Sequence, residues 1–309
     1  MADIQLAVPV TVIGGYLGAG KTTLLNHLLT TATSRLAVLV NDFGEINIDA
    51  GLIESHDGET ITLANGCICC SMVDGLAAAL ASVLEFEPQP ERLVIEASGV
   101  ADPGTVAGFC HAPGLLLDAV VVVVDVETVR AKAADAYVGD MVAAQLAAAD
   151  IVVVNKIDLV DDATVADVVA WLDDRAQGAL KVPTRQSVIA PELLFGHGSD
   201  HRPNQATPTA ADQQFESWTW SSEEPLQRGA LEELMGQVPD DIWRVKGILR
   251  LADDDRRAWV LQRVGRRWSL RPIARSADEI VTSQVVAIGR PGAVDETWLT
   301  GLLGLLRHS

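Results

Sequence analysis

Short apolar runs punctuate the first half of the chain at residues 10–13, 36–40, 93–95, 119–124 and 151–154. Each is rich in aliphatic, largely β-branched residues and bounded by turn-forming or charged positions. Parallel strands covered on both faces read this way, as continuous apolar stretches. Between them, residues 22–31 and 72–84 carry helical texture. Strands alternating with helices predict an α/β domain with a largely parallel sheet.

The texture changes after Ser187. Residues 196–214 are polar, rich in Gly, Pro, Thr and Gln, and aperiodic, which predicts a linker or flexible loop. Beyond it, residues 226–238 read as a helix. Residues 248–251, 259–264 and 268–270 read as antiparallel strands joined by turns at 253–257 and 265–267. A further strand at 285–288 and a closing helix at 296–306 complete a smaller α+β domain. The expected organisation is an α/β domain over 1–190, a flexible linker over 191–214 and a C-terminal domain over 215–309.

Composition narrows the function classes. Hydrophobic residues form 49% of the 309, enough to bury a substantial core. Against 23 Lys and Arg stand 42 Asp and Glu, a net charge of -19 that repels nucleic-acid backbones and anionic lipid surfaces. Neither nucleic acid nor membrane is therefore expected as a partner. The N-terminus has no basic n-region, and its apolar stretch runs into a glycine loop. The longest apolar run, 119–124, is far too short for a membrane span, so a cytoplasmic location is expected. Three of the four cysteines are Cys67, Cys69 and Cys70, a spacing that suits a metal or redox site and no disulfide framework.

Residues 15–22, GYLGAGKT, satisfy the phosphate-loop pattern G-x-x-x-x-G-K-[ST] between a predicted strand and a predicted helix. Gly15, Gly18, Ala19 and Gly20 would wind the backbone so that successive N–H groups face the phosphates. Lys21 would reach the β- and γ-phosphates, and Thr22 would offer its hydroxyl to Mg²⁺. The N-terminus of the following helix adds to the anion site.

Further segments fit a nucleotide site. Glu96 ends the third predicted strand, where a carboxylate can hold Mg²⁺ through water, and Gly99 can present its N–H to a γ-phosphate. Asn155, Lys156 and Asp158 follow the fifth strand as N-K-x-D. Asp158 can accept both N1–H and the 2-amino group of guanine, which adenine lacks, and such bonds discriminate by about 10⁴ to 10⁵. The Asn155 side chain can bond the opposite base edge, and the Lys156 stem can cover the ring. Together with the phosphate loop this predicts GTP. Residues 41–45, with Asp42 and Glu45, and Asp49 nearby, lie where phosphate-loop enzymes place a switch. Their carboxylates could touch Mg²⁺, the attacking water or a second metal, or be a solvated acidic loop.

Cys67, Cys69 and Cys70 precede a predicted helix, whose N-terminus lowers thiol pKa values. Three thiolates can converge on Zn²⁺ or another thiophilic ion at about 2.3 Å, leaving a fourth position open for transfer. A redox sensor and simple packing are the alternatives. Cys110 stands apart and reads as buried.

The segments GGYLGAGKTTLLNHLL, VLVNDFGEINID, LANGCICC, EASGVADP and NKIDLV occur in an order and spacing that resembles the CobW-like family of metal-handling GTPases. WRVKGILRLADD and VVAIGRPG look like that family's C-terminal domain. The resemblance implies a cytoplasmic GTP-dependent metallochaperone or metal-insertion factor with a client metalloprotein. It implies Lys21, Thr22 and Thr23 on phosphate and Mg²⁺, Glu96 and Gly99 at the γ-phosphate, and Asn155, Lys156 and Asp158 on guanine. Cys67, Cys69 and Cys70 would hold the metal: Zn²⁺ or another divalent transition ion. Two features depart from the family pattern. Asp42 stands where Glu is common, and the linker has His197 and His201 in place of a histidine-rich tract.

Between Arg244 and Arg275 the chain gathers nine arginines and one lysine against three aspartates. These read as a solvated sheet face, with a docking surface for an acidic client as the alternative. In the absence of an evident base or arginine finger, slow intrinsic turnover is expected. Two other functions stay open. One is a GTPase that activates a metalloenzyme while its cysteines are structural. The other is a small-molecule kinase using the phosphate loop.

Overall fold

A computed structural model describes residues 7–32, 34–40, 72–195, 215–273 and 282–293. They fall into two compact units that divide between Leu194 and Phe195.

The first unit alternates strands and helices: β1 (Val8–Gly14), α1 (Lys21–Thr31), β2 (Leu36–Val40), α2 (Met72–Leu84), β3 (Arg92–Glu96) and α3 (Pro103–Phe109). It continues with β4 (Leu115–Asp125), α4 (Val129–Ala133), α5 (Gly139–Ala148), β5 (Ile151–Asn155), α6 (Asp162–Arg175), β6 (Leu180–Pro183) and α7, of which Leu194 is the unit's last residue. The six strands pair in parallel in the order β2-β3-β1-β4-β5-β6. Val10, Val12, Ile95, Val122 and Val154 join one apolar cluster with Leu80, Val106 and Leu146 of the helices. Thr11, Ile13, Val94, Val121 and Val153, the alternate positions, are buried as well. Both faces are covered, which is why these strands read as unbroken apolar runs. Helix starts are marked locally: Asp102 accepts from Gly104 N–H at 2.9 Å ahead of Pro103, and Asp161 accepts from Thr164 N–H at 2.8 Å.

Among the described residues, the second unit is a five-stranded antiparallel sheet with one helix. Its elements are β7 (Glu216–Ser222), α8 (Arg228–Gln237), β8 (Ile242–Leu251), β9 (Asp254–Val264), β10 (Arg267–Ile273) and β11 (Ser283–Gly289), in the order β10-β9-β8-β11-β7. Leu231, Leu234 and Met235 of α8 share a core with Val245, Leu249, Leu261, Val285 and Ala287. The expected fold class, an α/β domain followed by a smaller α+β domain, is what the chain adopts.

Several elements differ from expectation. β6 and β7 went unread, and β8 begins at Ile242 instead of 248. Leu251 pairs with Asp254, so the β8–β9 turn is Ala252 and Asp253 and the next charged residues lie on β9. Residues 191–195, the start of the expected linker, form the helical turn α7, with Leu193, Leu194 and Phe195 buried. The rest of that linker and the expected helix at 296–306 lie outside the described residues. Among the described residues, no helix is long and apolar enough to cross a membrane.

Candidate functional site

Parallel pairing brings the carboxyl ends of β1, β3 and β5 to one edge of the sheet, with β1 between β3 and β4. From β1 the chain passes through residues 15–20 and enters α1 at Lys21. Gly15, Gly18 and Gly20 have φ of +131°, +75° and +111°, a region that L side chains rarely adopt. Close approach adds to the demand. A Cβ on Gly15 would lie 2.2 Å from the Val123 carbonyl oxygen, and one on Gly20 2.4 Å from Asn155 Nδ2. The N-terminus of α1 has no side-chain cap, and Gly20 carries its first carbonyl, bonded by Leu24 N–H at 2.9 Å. A helix start with N–H groups left to a ligand suits an anion. Lys21 is buried at its base, Thr22 is half-buried and Thr23 is exposed.

Register places Glu96 beside Ile13, and its carboxylate is buried. Thr22 Oγ1 donates to Glu96 Oε1 at 3.1 Å, so the hydroxyl and the carboxylate expected to attend Mg²⁺ stand together. The chemistry of that donor set, hard oxygens beside a backbone cradle, fits a Mg²⁺–phosphate group. Beyond Glu96 the chain turns back on the phosphate loop. A Cβ on Gly99 would lie 2.6 Å from Leu17 Cδ2 and 2.9 Å from the Leu17 nitrogen.

On the base side, Asn155 is buried at the end of β5. Its Nδ2 donates to the Ala19 carbonyl at 2.9 Å, while Oδ1 accepts from Ser187 N–H at 2.7 Å and Thr184 Oγ1 at 3.4 Å. The side chain expected on the base edge therefore fastens the phosphate loop to residues 184–187. Lys156 sits in the left-handed region at φ 66° and its Nζ meets Asp125 Oδ2 at 2.8 Å. Burial raises the Asp125 pKa, but the bonds from Lys156 and the Glu127 N–H, with nearby Lys132, outweigh it and hold the carboxyl below its usual value. Asp158 lies in a 3-10 turn over Ile157–Leu159 and is exposed, open to a ligand.

The loop over 184–187 went unread in the sequence. Gln186 and Ser187 adopt φ of 51° and 55°, and Ser187 Oγ donates to the Gly20 carbonyl at 3.0 Å. Neither residue type signals a left-handed backbone; the available clue was position, directly after β6. Gln145, buried on α5, also went unread. Asp42, Glu45, Cys67, Cys69 and Cys70, with Asp49, His197 and His201, lie outside the described residues. Cys110 is buried as expected, its thiol pushed up to about 12 by that burial.

The arginines of the second unit do not form one solvated face. Arg244 and Arg263 are buried. Arg263 donates to the carbonyls of Ile242, Val238 and Pro239, which compensates a guanidinium that burial pushes down to about 10. Arg266 pairs with Asp240, and Arg257 with Asp254. Arg256, Arg257 and Arg266 remain exposed.

Comparison with known proteins places the chain in a family. The CobW/HypB/UreG nucleotide-binding domain matches residues 9–183, and the cobalamin synthesis protein cobW C-terminal domain matches residues 215–304. The zinc chaperone CobW of Pseudomonas aeruginosa is 30% identical over 330 aligned positions, covering 92% of this chain and 88% of that protein. The zinc chaperone YjiA of Escherichia coli is 43% identical over 128 residues, 38% of this chain and 40% of that one. The crystal structure of Zn(II)-bound YjiA GTPase from E. coli aligns over 97% of this chain and 99% of its own, at 28% identity and a TM-score of 0.46. With the family's nucleotide-binding domain matched over residues 9–183, more than half of the chain, and its C-terminal domain over residues 215–304, this chain belongs to the CobW/HypB/UreG family of P-loop GTPases.

Proposed function

We propose that this protein is a GTP-dependent zinc chaperone: it hydrolyses GTP to GDP and phosphate, and it binds zinc at Cys67, Cys69 and Cys70 for delivery to a client metalloprotein in the cytoplasm. The observation that carries the reading is a phosphate cradle tied by Asn155 to a base loop, in a chain related over most of its length to the zinc chaperone CobW of P. aeruginosa. The domains are taken as 1–190 and 215–309, joined by 191–214.

In this reading the backbone over residues 15–20 and the start of α1, through Thr23, receives the phosphates, and Lys21 neutralises their charge. Thr22 and Glu96 would hold Mg²⁺, which would supply charge neutralisation to the phosphates. Glu96 and Asp42 orient the attacking water. Gly99 stands at the γ-phosphate, Asp158 reads guanine, Lys156 covers the ring, and Asn155 keeps the base and phosphate loops in register. Glu45 lies with the thiolates at the metal. GTP binding orders the loop with Asp42 and Glu45 and the cysteine segment together, which sets zinc affinity; hydrolysis relaxes both. Intrinsic turnover is slow and is raised by metal or client. Any client contact on the second unit would draw on exposed arginines such as Arg256, Arg257 and Arg266, and not on Arg244 and Arg263, which are buried.

Coupling of this kind is reciprocal: GTP must change zinc affinity by the factor by which zinc changes GTP affinity. Zinc binding is measured by competition with a chromophoric chelator, with and without a non-hydrolysable GTP analogue. The expected result is tighter binding with the analogue, lost when all three cysteines are changed to serine. Equal affinities in both states would sink the coupled model.

A further inference from the structure

Gln145 is a polar side chain sealed inside the first unit, 1% exposed, on the apolar side of α5 beside Val142 and Leu146. A primary amide in such a place must be satisfied by its surroundings. Its Nε2 donates to two carbonyls, Gly99 at 3.2 Å and Ala101 at 3.0 Å, so both amide hydrogens go to the loop between β3 and α3. Other hydrogen bonds among the described residues lie at the start of the loop or within it. Ala97 N–H bonds the Ile13 carbonyl at 2.8 Å, Ala101 N–H bonds the Ser98 carbonyl at 2.9 Å, and Val100 N–H meets Ser98 Oγ at 3.4 Å. Across residues 99–101, the Gln145 amide ties the main chain to α5.

The loop is held against something definite. Gly99 packs on Leu17 so closely that any side chain at 99 would collide with it. Leu17 is itself tied from the same part of the chain: Lys132 of α4 donates to its carbonyl at 3.4 Å, and the Lys132 ammonium stands 4.7 Å from the Tyr16 ring centroid. Helices α4 and α5 therefore hold both sides of one contact, the phosphate loop through Lys132 and the residue-99 loop through Gln145. A loop held beside the phosphate loop stands where a γ-phosphate bound there could order it.

We infer that Gln145 is a positioning residue that latches residues 99–101 in their triphosphate-facing arrangement and thereby sets the ratio of GTP to GDP affinity. This rests on the reading above that Gly99 attends the γ-phosphate. Gln145 touches no nucleotide; it acts through two backbone carbonyls. A ligand shifts a two-state loop only by its differential affinity, so loss of the latch must appear as a change in that ratio and not as uniform weakening.

The test compares dissociation constants for GDP and a non-hydrolysable GTP analogue in the full chain, in Gln145→Met and in Gly99→Ala. Gln145→Met keeps the length and removes both donors. The expected result is GDP affinity within about twofold of the parent and analogue affinity lower by about tenfold, the scale of ordinary coupling. Equal losses for both nucleotides, or none, in a folded Gln145→Met protein overturn the latch. If Gly99→Ala changes the ratio while Gln145→Met does not, the latch alone fails. If Gly99→Ala leaves the ratio unchanged, the γ-phosphate reading of the loop fails and the latch with it. Should Gln145→Met not fold, hydrogen exchange at residues 100 and 101 of the parent chain decides. Exchange slowed several-fold by the analogue relative to GDP supports the latch, and equal exchange overturns it.

Discussion

Thr22 and Glu96 are 74 residues apart in sequence and joined by one hydrogen bond of 3.1 Å, from the hydroxyl to the carboxylate. It links the first turn of α1 to the last residue of β3, two elements that the parallel sheet brings to one edge. Removing the hydroxyl in Thr22→Ala is expected to lower single-turnover GTP hydrolysis by about 100-fold, the scale for one preorganised group aimed at developing charge. Thr22→Ser should stay near the parent. Glu96→Gln keeps an acceptor for Thr22 but loses the charge, so it should retain nucleotide and shift the Mg²⁺ dependence to higher concentration. A magnesium titration of the hydrolysis rate checks all three.

Asn155 is expected to matter for stability as well as for nucleotide. Asn155→Ala leaves the Ala19 carbonyl and the Ser187 N–H without their bonds of 2.9 and 2.7 Å in a buried place. Unsatisfied buried groups of this kind cost about 1–3 kcal/mol each. Urea unfolding of the nucleotide-free protein should therefore show a loss of about 2–6 kcal/mol. Asp158→Ala, at an exposed position, should leave that unfolding curve in place and weaken guanine nucleotides alone.

Asp125 makes the stability of the base loop depend on acid. Burial pushes its pKa up, yet the Lys156 and Glu127 bonds and nearby Lys132 bring it below the usual value when folded. A carboxyl with a depressed folded pKa contributes stability above its unfolded value of about 3.9, and that contribution is lost as the pH falls through the folded one. Asp125→Asn should thus lower the melting temperature at pH 7, and the gap from the parent should close below about pH 4. A gap that stays constant across that range would show that the charge is not what Lys156 needs.

The four thiols should divide in reactivity. Cys110 is buried, its thiol raised to about 12, and its Sγ lies 3.6 Å from the Val106 carbonyl. At pH 8 it is protonated and inaccessible, which silences a thiol toward disulfide reagents. Titration of the native protein is expected to count three reactive thiols, with zinc protecting all three; the fourth should appear in guanidinium chloride.

The first sheet was legible because its strands are buried on both faces, so β1, β4 and β5 stand out as continuous apolar runs. β6 and β7 hid for the opposite reason. Each is an edge strand, β6 with Lys181 and Pro183 in four residues, and β7 alternating tryptophans with exposed polar residues. The phosphate loop and N-K-x-D were readable as local patterns, since their chemistry demands fixed spacings. The Asn155 tether, the left-handed turn at Gln186 and Ser187, and the Gln145 contacts were not, because each depends on partners distant in sequence. Arg263 misled for a related reason. Paired opposite Val245 on an apolar face, it is tolerated because its guanidinium reaches main-chain carbonyls that no sequence pattern announces.

Gly20 lies so near Asn155 and Ser187 that an added carbon would come within 2.4 Å of one and 2.9 Å of the other. In the proposed site the two ends of the nucleotide would thus be gripped by parts of one tightly packed contact, like the jaws of a fixed gauge cut to one length. A bare nucleoside or free pyrophosphate would fill one jaw and gain nothing from the other. On that reading a change of base preference would have to come through Asp158, which lies off that contact, because any move at Asn155 would open the gauge at its phosphate end too.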